Sequence, residues 1–235
     1  MPIHASGPEV LAAHVLNWAL AGESRRVNLV GLGALVAARD SAAVQEWLRS
    51  MDHVAAASGP LVWLLGRHRR GAGARCAGPE LVAEVCAAAA RVGLGVAFVG
   101  DSATVLDRMA NVLRWRHPAL RITAKMVVAP GAAPGPLDLV DAARLVASGT
   151  GVVLVGLACP RGEEWLAAQG RGWPLVWVGV GGAFEVLAGT VPRAPRWVVR
   201  LGGEWLHRFF LYRHPQRWRT LRARLRCAWG VLRRR

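Results

Sequence analysis

The chain has 235 residues, a hydrophobic content of 53% and a formal net charge of +15. This excludes a disordered chain and leaves room for one large domain with a sizeable core, alone or with an appendage. The charge is uneven. Residues 193–235 hold thirteen arginines against one acid, Glu204, while residues 1–192 are close to neutral. Such a basic tail implies an anionic partner, either phospholipid or nucleic acid.

In chain order, Pro8–Ala21 reads as a helix with an apolar face of Val10, Leu11, Val15, Trp18 and Leu20. Val27–Val30 is a short strand before a glycine-containing connection. Ser41 caps a helix over Ala42–Met51. Asp52 and His53 read as exposed residues at that helix end, and a substitute base from this pair is the alternative. Ala57-Ser58-Gly59-Pro60 is a turn. Gly78-Pro79-Glu80 opens a helix through Arg91, with the proline in its first turn. Gly95–Val99 is a strand, and Gly100-Asp101-Ser102 turns it into a helix ending near His117.

Ile122–Val128 holds a strand, and Gly131–Pro136 is a Pro/Gly-rich loop. Pro136–Ser148 is helical, Val152–Leu157 is a strand, Arg161–Gln169 is helical and Leu175–Val178 is a strand. This alternation predicts an α/β, Rossmann-like fold with a mainly parallel sheet flanked by helices. Ligands of such sheets gather at the carboxyl ends of the strands. That rule selects Gly100–Ser102, Ala158–Glu163 and Gly179–Gly182.

The tail differs in character. Trp218, Leu221, Leu225, Trp229 and Leu232 fall on one helical face, flanked by Arg217, Arg219, Arg222, Arg224 and Arg226. A Trp/Leu stripe beside arginines suits a membrane interface. A packed C-terminal helix and a nucleic-acid-binding tail are the alternatives. Residues 1–195 form the expected α/β domain and 196–235 an Arg/Trp-rich, amphipathic helical docking appendage. No apolar run approaches the ~18 residues of a membrane span, and no signal peptide is read at the N-terminus. The four cysteines form no CxxC pair and read as free thiols in a reducing compartment. The seven histidines show no metal-ligand spacing, so neither a metal nor another cofactor is expected.

Several segments carry a family resemblance in their order and spacing. They are Arg75-Cys76-Ala77-Gly78, Val96-Ala97-Phe98-Val99-Gly100, His117-Pro118-Ala119-Leu120 and Val155-Gly156-Leu157-Ala158-Cys159-Pro160-Arg161-Gly162-Glu163-Glu164-Trp165. Gly179-Val180-Gly181-Gly182-Ala183-Phe184-Glu185, Arg193-Ala194-Pro195-Arg196-Trp197, Glu204-Trp205-Leu206-His207-Arg208 and Pro215-Gln216-Arg217 complete the set. Over roughly 26–219 the chain resembles the WecG/TagA/CpsF family of bacterial glycosyltransferases, as a divergent member.

The resemblance implies transfer of a sugar, often N-acetylmannosamine, from a UDP-sugar to a polyprenyl-diphosphate-linked sugar. It implies an inverting, metal-independent reaction in cell-envelope or exopolysaccharide synthesis, with the protein peripheral on the cytoplasmic face of the membrane. The alternative is a catalytically degenerate member serving as a binding or scaffolding subunit. Self-association into a homo-oligomer is left open, and nucleic acid is the weaker partner.

The departures concern catalysis. The family's Asp-Gly, whose aspartate is the proposed base, is Ser58-Gly59 here, and serine is no base unaided near neutral pH. Thr-x-Asn is matched by Leu29-Val30-Gly31, Pro-Lys-Gln-Glu by Pro160-Arg161-Gly162-Glu163, Gly-Ser-Asp-Leu by Gly78-Pro79-Glu80-Leu81, and Phe-Asp by Phe184-Glu185. Ser58 and Arg75 are the expected catalytic positions. Gly100, Asp101, Arg161, Glu163, Gly179, Gly181, Gly182 and Glu185 are the expected nucleotide-sugar contacts. Arg193, Arg196, Arg208, Arg217 and Trp218 are expected on diphosphate or membrane.

Overall fold

The computed structural model describes residues 3–68, 74–129 and 135–192. Its centre is a six-stranded, all-parallel sheet in the order β2-β1-β6-β5-β3-β4. The strands are β1 (Arg25–Val30), β2 (His53–Ala56), β3 (Gly95–Gly100), β4 (Arg121–Val127), β5 (Thr150–Val155) and β6 (Val176–Gly179). The helices are α1 (Pro8–Leu20), α2 (Leu32–Asp40), α3 (Ala42–Arg49), α4 (Gly59–His68) and α5 (Gly78–Val92). They continue with α6 (Ala103–Arg116), α7 (Leu139–Ala147), α8 (Arg161–Ala168) and the short α9 (Ala183–Leu187).

Strand residues alternate between two cores, as the period of two requires. Val27, Leu29, Val96, Phe98, Val152, Leu154, Val176 and Val178 face a core shared with α1, α5, α6 and α9. Val30, Ala97, Val99, Val153, Val155 and Trp177 face the other, shared with α3, α7 and α8. The central strands β3, β5 and β6 are buried along their length, which accounts for their continuous apolar runs. The two-layer cover follows from right-handed crossovers. Connections that move one way along the sheet place helices on one face, and those that move the other way use the opposite face.

Most helix ends are where the caps place them. Ser41 Oγ accepts from the Val44 amide and Ser102 Oγ from the Val105 amide, both at 3.4 Å. Gly93, left-handed at φ 68°, ends α5.

Three expectations change. The glycine-containing connection after β1 is the helix α2, and the turn at Ala57–Pro60 runs into the helix α4. Nor are Asp52 and His53 exposed helix-end residues. Asp52 accepts from the Arg26 amide at 2.8 Å and pairs with Arg171 at 2.7 Å. His53 starts β2, half-buried, with its ring stacked on His4 at 4.3 Å. The four residues of β2 span about 13 Å, so His53 and Ser58 lie at opposite edges of the sheet. This removes the pair as a substitute base.

Candidate active site

The chain leaving β6 passes to α9 on one face of the sheet. The chains leaving β1 and β5 pass to α2 and α8 on the other. Loops that part in this way open a crevice at the carboxyl edge, centred on β6. Gly179 ends β6 here, Gly181 and Gly182 follow it, and Arg161 and Glu163 open α8 beside them. Ser58 lies past the end of β2, Gly100 ends β3, and Asp101 and Ser102 lie past it.

The glycines at this edge do different work. A Cβ on Gly179 would stand 2.3 Å from Asn28 Oδ1 and 2.6 Å from Leu166 Cδ1. A Cβ on Gly156 would stand 2.2 Å from the Phe184 ring. Gly100 sits against Leu106 and the same ring, at 3.1 and 3.6 Å from its notional Cβ. These three are small because side chains pack over them. Phe184 itself is buried and meets Phe98 edge-on at 5.8 Å. Gly181 differs: its backbone is left-handed at φ 55°, and among the described residues nothing lies within 4 Å of a notional Cβ. It is the glycine whose open surroundings suit close approach of a ligand to the backbone.

A polar pair lies below the crevice. Asn28, in β1, pairs in register with Gly179 of β6 and Val54 of β2. Its Nδ2 donates to Glu163 Oε1 at 3.2 Å, and both side chains are buried. Glu163 Oε2 is buried with no hydrogen-bond partner. Asn28 was not among the residues expected from sequence. The family's Thr-x-Asn was matched one residue further on, at Leu29-Val30-Gly31, and the polar side chain stands just before that window.

Ser58 Oγ is also buried and without a hydrogen-bond partner. Its backbone carbonyl accepts from the Leu61 and Val62 amides, both at 3.1 Å, which fixes the first turn of α4. Arg75 stands one residue before Cys76, whose amide donates to the Ala56 carbonyl at 2.9 Å. Arg75 and Ser58 thus both flank the carboxyl end of β2. Cys76 is fully buried, and burial pushes its thiol up to about 12 against the opposing charge of Arg75. It stays protonated at neutral pH and is no nucleophile.

Arg161 is partly committed. One of its terminal nitrogens donates to the Val128 carbonyl at 3.2 Å and to the Ala129 carbonyl, which ties α8 to the exit of β4. Its Nε is buried without a partner. Asp101 is half-exposed beside Ser102, and it is Ser102 that caps α6. Glu185 is the third residue of α9, whose N-cap is Gly182. The start of α5 adjoins this loop, since a Cβ on Gly78 would stand 2.7 Å from the Val180 carbonyl oxygen. Arg193, Arg196, Arg208, Arg217 and Trp218 lie outside the described residues.

Among the described residues no cluster of three or more His, Cys, Asp or Glu side chains could hold a metal ion. No described helix is long and apolar enough to cross a membrane.

The chain is similar to the N-acetylglucosaminyldiphosphoundecaprenol N-acetyl-beta-D-mannosaminyltransferase of Bacillus subtilis, at 38% identity over 71 residues. That alignment covers 30% of this chain and 27% of the relative. The protein of the same name from Bacillus spizizenii is 37% identical over 79 residues, 33% of this chain and 30% of the relative. The aligned part is thus under a third of either curated relative. The sequence profile of the Glycosyl transferase WecG/TagA/CpsF family matches residues 1–235. A match along the whole chain settles membership: the chain belongs to the WecG/TagA/CpsF family of glycosyl transferases.

Proposed function

We propose that the chain is a glycosyltransferase. It moves a hexose of the N-acetylmannosamine type from a UDP-sugar to a polyprenyl-diphosphate-linked acceptor at a membrane surface. The crevice over β6 carries this reading, with the open, left-handed Gly181 at its centre. A nucleotide diphosphate approaches the backbone after β6, as ligands do at the edge of a doubly wound sheet. The activity for which the two Bacillus relatives are named supplies the sugar and acceptor classes.

In this reading Gly181 and Gly182 present backbone to the donor, with Asp101 and Glu185 at the margins. The packed glycines Gly100 and Gly179 hold the strand ends at the depth the donor needs. Glu163 and Asn28 set the floor, while Arg161 and Arg193 neutralise the leaving diphosphate. Ser58 and Arg75 face the acceptor end beside β2. Residues 1–195 form the catalytic domain, and 196–235 bring Arg196, Arg208, Arg217 and Trp218 to anionic lipid on the cytoplasmic face. Inversion follows from direct attack of the acceptor hydroxyl, which needs a base.

A second reading rests on Ser58. Its hydroxyl is buried, and among the described residues no carboxylate partners it. A chain without a base would bind nucleotide and lipid yet transfer nothing, as a scaffold in a glycan-assembly complex. Calorimetric UDP binding, run beside a transfer assay, separates the two readings. Binding with turnover supports the enzyme, and binding without turnover for any UDP-sugar supports the scaffold.

A further inference from the structure

We infer that α4 is a lipid-facing element that seats on an anionic bilayer beside Ser58, as a contact separate from the arginine tail. The inference deepens the proposed function, because a lipid-linked acceptor must reach the carboxyl edge of the sheet from a membrane.

The helix begins at the residue after Ser58, and its first turn hangs on the Ser58 carbonyl. Its inner side is settled. Leu61 is buried in the core that faces α3 and α8, and Val62 and Leu65 pack half-buried against that core. Its outer side holds Trp63, 54% exposed, and Gly66, exposed and one turn on. An ordinary surface helix turns polar residues outward. Here Gly59-Pro60-Leu61-Val62-Trp63-Leu64-Leu65-Gly66 holds no polar side chain at all.

Charge identifies the occupant. Gly66 is followed in sequence by Arg67, Arg69 and Arg70, and no acid occurs between Asp52 and Glu80. An apolar helix with an outward tryptophan, in an acid-free basic stretch, matches an interfacial helix on anionic headgroups. A protein partner of mixed charge would leave that basic excess unmatched. Nothing here depends on residues 193–235.

The test labels the full chain at Gly66→Cys with an environment-sensitive fluorophore, in a Cys159→Ser, Cys227→Ser background. Cys76 and Cys86 are buried and do not compete for label. A control label goes on exposed Asn111→Cys in α6. With phosphatidylglycerol vesicles, the label at 66 shifts to the blue and is quenched by brominated acyl chains. The label at 111 does neither, and neutral phosphatidylcholine vesicles leave both unchanged. Trp63→Glu weakens sedimentation with the anionic vesicles by about fivefold or more, with its melting temperature recorded to verify folding.

A label at 66 that stays water-like while the protein sediments with vesicles overturns the inference, as does a failure to sediment. A blue shift without vesicles that grows with protein concentration also overturns it, naming a second copy as the occupant. Sugar transfer is assayed separately on detergent-dissolved acceptor. Turnover there without a label shift sinks the α4 contact alone, and a label shift without turnover sinks the enzyme reading alone.

Discussion

Asn28 and Glu163 lie 135 residues apart in sequence and share a buried hydrogen bond of 3.2 Å that joins β1 to the first turn of α8 beneath the β6 loop. Gly179 completes the arrangement, because any side chain there would strike Asn28 Oδ1. The floor of the crevice is thus one unit drawn from three segments.

Breaking that unit carries a definite penalty. Asn28→Ala strips a buried carboxyl of its amide donor, which costs about 1–3 kcal/mol. For a domain of this size that lowers the melting temperature by roughly 3–10 °C. Glu163→Gln, which can still accept from Asn28, lowers it less than Glu163→Ala. Thermal melts of the three variants check the order. An unchanged melting temperature in Asn28→Ala would mean that the bond contributes nothing.

The two kinds of glycine separate under substitution. Gly179→Ala forces Asn28 and Leu166 to move and destabilises the fold by about 1–3 kcal/mol. Gly181→Ala meets no described residue and bears mainly the strain of a left-handed backbone, about 1 kcal/mol. It nevertheless weakens UDP binding, because the methyl stands where the ligand approaches. Melts paired with calorimetry read both effects, and UDP affinity equal to wild type in Gly181→Ala would displace the donor from this loop.

Ser58 offers a gain-of-function test. Ser58→Asp restores a carboxylate beside β2 and raises transfer by about 10²-fold or more, if a missing base limits turnover. Ser58→Ala leaves transfer near the wild-type level, since an unpartnered hydroxyl does little as a base. A fall in Ser58→Ala as large as a base knockout would show that serine itself takes part.

Stability should fall in mild acid. Burial, with the charges of His4 and His14 nearby, holds His53 down to about 4 from its usual 6.5. The unfolded chain therefore takes up a proton between those values that the folded chain refuses. The stabilisation is complete above about pH 6.5 and is lost as pH falls toward 4. Chemical denaturation at pH 7 and pH 5 measures the loss, and His53→Leu flattens it. An equal slope in that variant would assign the loss to other groups.

Much of the fold was legible because buried parallel strands leave continuous apolar runs that end in glycine, as in Val96–Gly100 and Val176–Gly179. The parallel sheet and the parting loops at the carboxyl edge follow from that alternation. Two helices were hidden by punctuation: the glycines at 31 and 33, and Ser58-Gly59-Pro60, read locally as turns. Tertiary packing overrides that reading, with Leu32, Ala34 and Leu61 buried on the sheet.

The site was less legible for the same reason. Glycines at 100, 156 and 179 look alike in sequence, and only the positions of Phe184, Leu106, Leu166 and Asn28 tell packing from openness. Asn28 lay within a strand, one residue before the segment matched to the family. Its bond to Glu163 is a long-range contact that no local pattern encodes.

The central claim is sugar transfer, and one measurement meets it directly. The purified chain is incubated with polyprenyl-diphosphate N-acetylglucosamine in detergent and a panel of UDP-sugars, and the lipid product is read by mass spectrometry. The expected product is heavier by one N-acetylhexosamine residue and forms from one donor of the N-acetylmannosamine type. UDP binding with no product from any donor would contradict it and leave the scaffold reading in its place.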